Sequence, residues 1–294
     1  MSFESLLATG QKLNSSLETL AAIGALLRAR RDGLTLPPDV ERLLGDIARH
    51  TDESAEGGLP AAQEAIVLGF ITAFFRQALD LLENPDRPTA WQVTDEAVMQ
   101  AFGRASRVVV GGIEGLAAKR PDVAEVLTRK GRFLDIGSGT GWLAIEAAQS
   151  WPDYHVVGID PWEPAMALAR RNVAESPARA RVELRLDSVE TLADRETYDL
   201  AWFAGPFIPK QVVETSLPKV RASLKPGGIL VFGLFAPAPS PIGQNLADLR
   251  IVRSGGHPWT TREIGDSLKA SGFEAIEPHD TGTPALFVVA RRPA

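Results

Sequence analysis

The chain has 294 residues, 45% of them apolar and 23% charged, with a net charge of −6 at pH 7. Such values fit a soluble globular protein of one large or two modest domains, and they offer nucleic acid no overall basic surface. The lack of cysteine excludes disulfides, thiolate chemistry and Cys-ligated zinc, and no metal site is expected.

The start, Met1-Ser2-Phe3-Glu4-Ser5, lacks the basic and apolar regions of a secretory signal. The most apolar run, Ala65 to Phe75, is too short to span a bilayer, so a cytoplasmic protein without membrane contact is expected. Leu6, Leu13, Leu17, Leu20, Ile23 and Leu27 recur at helical spacing, and Arg28 to Arg31 suit the carboxyl end of that helix. Pro37-Pro38-Asp39 opens a second, short helix through Ile47. A polar linker, Asp52 to Gly58, leads to Leu59–Leu82, which is apolar nearly all round and should be buried on several sides. Residues 83–88 break the chain. A helix starting at Thr94-Asp95-Glu96 passes Met99 and Phe102, and Gly111-Gly112 is expected to interrupt it before Leu116. Pro121 to Leu127 is a further short helix. Residues 1–125 therefore read as an all-helical domain, expected to act as a lid, a dimerisation element, or both.

At Gly131 the pattern changes. An apolar strand, Phe133 to Ile136, contains Asp135 and runs into Gly137-Ser138-Gly139-Thr140-Gly141, after which a helix begins at Trp142. Glycine adopts positive φ and lets a ligand approach the backbone, so a nucleotide-like ligand is expected over this turn. Dinucleotide-binding turns carry G-x-G-x-x-G, whereas the glycines here run G-x-G-x-G.

Strands then alternate with helices, as in a parallel α/β sheet. Strand two, Val156 to Ile159, ends in Asp160, about 20 residues past the turn, and Pro161-Trp162-Glu163-Pro164 starts a helix. Strand three, Val182 to Leu186, ends in Asp187-Ser188. Strand four, Tyr198 to Phe203, runs into Ala204-Gly205-Pro206-Phe207. A helix around Val212 to Ser223 and the turn Lys225-Pro226-Gly227-Gly228 lead to strand five, Ile229 to Phe232. Two late strands lie at Phe273–Ile276 and Leu286–Ala290.

These marks, in this order over about 160 residues, resemble the class I S-adenosylmethionine-dependent methyltransferases. The resemblance implies a Rossmann-like α/β sheet of seven strands, mostly parallel with the last antiparallel, over residues 126–294. It also implies S-adenosyl-L-methionine as cofactor, with Asp135 facing the cationic methionine end, Asp160 the ribose hydroxyls and Asp187 the adenine amino group. Gly137, Gly139 and Gly141 would form the cradle, with Trp162, Ser188 and Phe203 beside it. Each residue also has a plainer reading. Asp160 could cap the helix after Pro161, Asp187 could shape a turn, Asp135 could only set the turn, and Trp162 could fill the surface.

No Asn/Asp-Pro-Pro-Phe/Tyr motif follows strand four, so the family's amino-methylating signature is absent. The loop there, with Phe207, suggests an apolar substrate wall. His257, in Ser254-Gly255-Gly256-His257-Pro258-Trp259-Thr260, lies before a helix capped by Thr260 with Glu263 and is the candidate base, with Trp259 at the substrate; a plain surface loop is the alternative. His155, at the start of strand two, is expected to be structural. The function expected is methyl transfer to a hydroxyl or nitrogen of an apolar or aromatic small molecule. A non-catalytic cofactor-binding partner protein is the alternative, and a nicotinamide oxidoreductase is disfavoured by the glycine spacing. A homodimer is among the expectations.

Overall fold

In the computed structural model, which describes residues 2–51, 59–91, 93–283 and 285–294, the first helix starts on a serine cap. The Ser2 hydroxyl accepts the Ser5 N–H at 3.2 Å, and α1 (Phe3–Asp32) ends at Gly33 in the left-handed conformation. Helices α2 (Pro38–Thr51) and α3 (Ala61–Glu83) follow, and the expected linker at Asp52 to Gly58 lies outside the described residues. Leu27 of α1 buries against Leu68 and Ile71 of α3, with Leu20, Ile23, Val67 and Phe75 around them. Other apolar side chains stay exposed, among them Leu6, Leu13 and Leu17 on α1 and Leu79 and Leu82 on α3. The stretch Gln63–Glu83, longer than the run Ala65 to Phe75, is long and apolar enough, by length and composition, to cross a membrane. A soluble helix with an apolar packing face passes the same test.

By its contacts the chain divides into Met1–Pro85 with Gln100–Phe102, and Asp86–Met99 with Gly103–Ala294. Most of the helical residues between 86 and 125 thus go with the sheet, although periodicity alone grouped them with the earlier helices. The reason is packing. In α5 (Val108–Ala117), Val109, Val110, Ile113 and Leu116 are buried with Phe133, Val231 and Phe287. The helix before it, α4 (Glu96–Ser106), starts on Asp95, whose carboxylate accepts the Val98 N–H at 3.1 Å. The break falls at Arg107, and Gly111-Gly112 lie inside α5, contrary to expectation. A Cβ at Gly112 would come within 2.8 Å of the Phe287 ring, so that glycine serves close approach and not termination. Helix α6 is Pro121–Leu127.

The sheet is built from β1 (Gly131–Ile136), β2 (Tyr154–Ile159), β3 (Val182–Arg185), β4 (Tyr198–Phe203), β5 (Leu224–Phe235), β6 (Glu274–Asp280) and β7 (Ala285–Arg291). Its order is β3-β2-β1-β4-β5-β7-β6. The first five strands are parallel, and β7 runs antiparallel between β5 and β6. That is the seven-stranded Rossmann-like sheet expected. The connecting helices are α7 (Trp142–Ser150), α8 (Glu163–Glu175), α9 (Lys210–Ser223), α10 (Pro241–Arg253) and α11 (Thr261–Ala270). Helix α10 was not anticipated, although Ser240 caps it and Pro241 opens it in the usual way. Separate apolar cores lie on the two faces of the sheet, around Phe203, Phe232 and Leu217 on one side and Phe133, Trp151 and Phe287 on the other. Strand order reverses between β1 and β4, and in open α/β sheets ligands bind outside the carboxyl ends of the strands at such a point.

Candidate functional site

The turn after β1 lies at the carboxyl end of that strand, beside the point where strand order reverses. Gly137, Gly139 and Gly141 all have positive φ, 78°, 54° and 78°, which side chains rarely tolerate. Their surroundings differ. A Cβ on Gly141 would lie 3.2 Å from the Ala169 Cβ, so that glycine brings α7 against α8. A Cβ on Gly139 would meet nothing within 4 Å. The space over Gly139 is therefore open, as a ligand cradle requires.

The turn's own donors are largely spent inside the protein. Gly137 and Ser138 both donate to the Ile159 carbonyl, at 3.0 and 3.1 Å, and Gly141 donates to Ser138 at 2.9 Å. Gly139 N–H donates to Asp160 Oδ2 at 2.9 Å. A pyrophosphate cradle needs such N–H groups free. This turn instead suits a ligand held by acids and shape.

Those acids come from three strands. Asp160, just past β2, accepts the Gly139 and Trp162 N–H groups, the latter at 2.8 Å. Burial raises its pKa, and the two N–H groups pull the other way. Asp160 thus shapes the turn. Asp187, past β3, accepts the Ser188 N–H at 2.9 Å and the Thr191 hydroxyl, while Ser188 caps the following short 3-10 turn. Asp135, inside β1, is 1% exposed, and neither carboxylate oxygen has a hydrogen-bond partner. Burial, with a smaller push from Asp160, raises its pKa to about 8. A buried, unpartnered acid at the base of a glycine turn fits a cationic group of a ligand better than it fits a purely structural role.

Trp162 is half-buried. Its indole N–H donates to the Val93 carbonyl at 3.1 Å, and its ring packs with Met99, Ala165 and Leu168. Phe203 is fully buried, its ring 5.2 Å from that of Phe232, so its side chain belongs to the core. Phe207 is half-buried and makes edge contacts with Trp91 and Phe235, each at 5.7 Å. Trp91 and Phe235 went unrecognised in the sequence. Trp91 stands beside the Pro-rich break, and Phe235 ends a strand that runs past Phe232. Val93, Trp91 and Ala90 thus touch Trp162 after β2, Phe207 after β4 and Gly255 between α10 and α11.

His257 Nε2 lies 3.4 Å from Glu263 Oε1, and its ring stands edge-on to Trp259 at 4.8 Å. Glu263 completes the capping box with Thr260 and also meets Lys210 at 3.2 Å. The Thr260 N–H, with Lys210 and His257 adding to it, lowers the Glu263 pKa to about 2. Trp259 is 7% exposed and packs on Phe232, so its ring is a wall of the core and not a free surface. His155 is exposed on β2, away from the carboxyl edge. Among the described residues no group of acids and histidines could hold a metal ion.

Comparisons with known proteins agree with this geometry. Residues 133–228 match a family model described as a methyltransferase domain. A ubiquinone/menaquinone biosynthesis C-methyltransferase of Geobacter sulfurreducens is 33% identical over 127 residues, 42% of this chain and 49% of that protein. A malonyl-[acyl-carrier protein] O-methyltransferase of Halalkalibacterium halodurans is 30% identical over 106 residues, 36% of this chain and 39% of that protein. The chain therefore spans less than half the length of these curated relatives. Human N-acetylserotonin methyltransferase, solved with S-adenosylmethionine, superposes with a TM-score of 0.69 at 16% identity, covering 100% of this chain and 99% of that one. An O-methyltransferase from Nostoc punctiforme gives 0.65 at 14% identity, covering 99% and 100%. These two likenesses show the fold.

Proposed function

Because residues 133–228 belong to the class I S-adenosylmethionine-dependent methyltransferases, we propose that the protein transfers the cofactor's methyl group to a hydroxyl or nitrogen of an apolar or aromatic small molecule. The observation that carries the cofactor reading is the turn at Gly137–Gly141, open above Gly139, with the Gly137, Ser138, Gly139 and Gly141 N–H groups spent internally and Asp160 bound to it. S-adenosylmethionine has no pyrophosphate to claim those groups. Asp160 would bind the ribose hydroxyls, Asp187 and Ser188 the adenine, and Asp135 the amino-acid end.

The bound cofactor supplies an activated methyl on a sulfonium. The protein's part is positioning and exclusion of water. Trp91, Phe207 and Phe235 offer a half-exposed aromatic wall at the carboxyl edge, which supports a flat apolar acceptor. His257 would take the proton of a hydroxyl acceptor, with Glu263 fixing the ring; an acidic phenol would need no base. The exposed leucines of α1 and α3 support a homodimer in which a second copy covers them.

The test is incubation with donor labelled in the methyl group and a panel of hydroxylated and aminated aromatic compounds. Label appearing in an acceptor of that panel supports the reading. Transfer only to protein or nucleic acid would replace the acceptor class, and cofactor binding with no transfer to any acceptor in cell extract would make the chain a binding protein.

A further inference from the structure

Asp135 carries a second consequence, which rests on the cofactor reading above. Its carboxyl is 1% exposed, neither oxygen meets a donor, and the adjoining acid, Asp160, already has both oxygens on backbone N–H groups. The strand partners opposite Asp135 are Gly158 on β2 and Trp202 on β4, which carry no charge. Among the described residues, Asp160 is the charged group that bears on Asp135, and it repels. An isolated carboxylate at such a place is costly, and a proton removes the charge at little cost.

We propose that Asp135 is a protonated acid in the ligand-free protein and becomes a carboxylate when a cationic ligand group arrives, so that cofactor binding releases a proton to solvent. The bond that breaks is the Asp135 O–H. The proton passes to water, and the ligand's ammonium keeps its own protons and becomes the missing partner of the carboxylate. The charge-paired state then forms only with the ligand bound. Asp135 is in this sense a positioning residue that discriminates in favour of a cationic amino-acid end. The sign follows directly. Below the raised pKa, binding must expel the proton, so affinity falls as pH falls, by up to tenfold per pH unit.

The test uses S-adenosylhomocysteine, which keeps the amino-acid end, and 5′-methylthioadenosine, which lacks it. Titration calorimetry at pH 6.5, repeated in buffers of different ionisation enthalpy, counts protons released. About one proton per S-adenosylhomocysteine is expected, with none for 5′-methylthioadenosine and none for Asp135→Asn with either ligand. The S-adenosylhomocysteine affinity should rise roughly tenfold from pH 6 to pH 7 in the native protein and stay flat in the variant. Should the variant misfold, carbon NMR of the Asp135 carboxyl in ligand-free native protein reads the same state, with a midpoint above pH 7 expected. S-adenosylhomocysteine binding without proton release, or a midpoint below pH 5, overturns the proposal. Failure of both nucleosides to bind overturns the cofactor reading itself and leaves the NMR midpoint to judge the proton alone.

Discussion

Replacing Gly139 by alanine separates a ligand cradle from a structural turn. Gly139 has φ 54°, so an L-residue there costs about 1–2 kcal/mol of backbone strain. Its Cβ would touch nothing within 4 Å, so no packing penalty adds to that figure. A chain somewhat longer than 250 residues loses roughly 2 °C of melting temperature per kcal/mol, so Gly139→Ala should melt only a few degrees lower. The added methyl occupies the open space over the turn. Binding of S-adenosylhomocysteine should therefore weaken at least tenfold, which is about 1.4 kcal/mol or more. Gly141→Ala makes the contrast. It carries a similar strain at φ 78° and a Cβ 3.2 Å from the Ala169 Cβ, so crowding adds about 1–3 kcal/mol. That variant should lose more stability than Gly139→Ala. Calorimetry for binding and differential scanning for melting read both effects. Gly139→Ala with native affinity would refute the cradle and leave the glycine as a connection only.

Asp160→Ala should weaken S-adenosylhomocysteine by about 1.5–3 kcal/mol, the range for hydrogen bonds to a charged group, and calorimetry that finds no change removes Asp160 from the site. His257→Ala should lower turnover of a hydroxyl acceptor by roughly 10²–10⁴ while leaving S-adenosylhomocysteine affinity unchanged; steady-state kinetics that show native turnover would dismiss the base. A chain starting at Asp86 should fold and keep cofactor binding, because that unit holds the sheet and its helices, whereas one starting at Ala124 strips Val109, Val110, Ile113 and Leu116 from the core and should not fold. Circular dichroism with calorimetry checks both.

The sheet and the glycine turn were legible in the sequence because their signals are local. Alternating apolar strands end in Asp160 and Asp187, and the glycine spacing marks the turn. The helices at 96–127 were recognised as helices and grouped with the earlier ones, whereas by contacts most of their residues go with the sheet, since period 3.6 reports an apolar face and not what covers it. Gly111-Gly112 looked like a break because a glycine pair usually is one; the Phe287 ring that explains Gly112 lies far away in sequence. Trp91 and Phe235 escaped for a similar reason. Their meeting at Phe207 is tertiary, and no local pattern announces it. Phe203 was placed beside the ligand by its position at a strand end, but its side chain follows strand alternation into the core.

The place of β7 sets a condition on how this molecule is made. It is the last strand in sequence, yet it sits between β5 and β6 and pairs with both. While a ribosome is still completing residues 285–291, β5 has Ile229, Leu230, Val231 and Phe232 along an edge whose native partner is not yet made. Such an edge invites pairing with other chains. Synthesis slowed before Ala285 should therefore send material towards aggregates, and a chaperone that shields β5 during that interval should raise the yield of native protein.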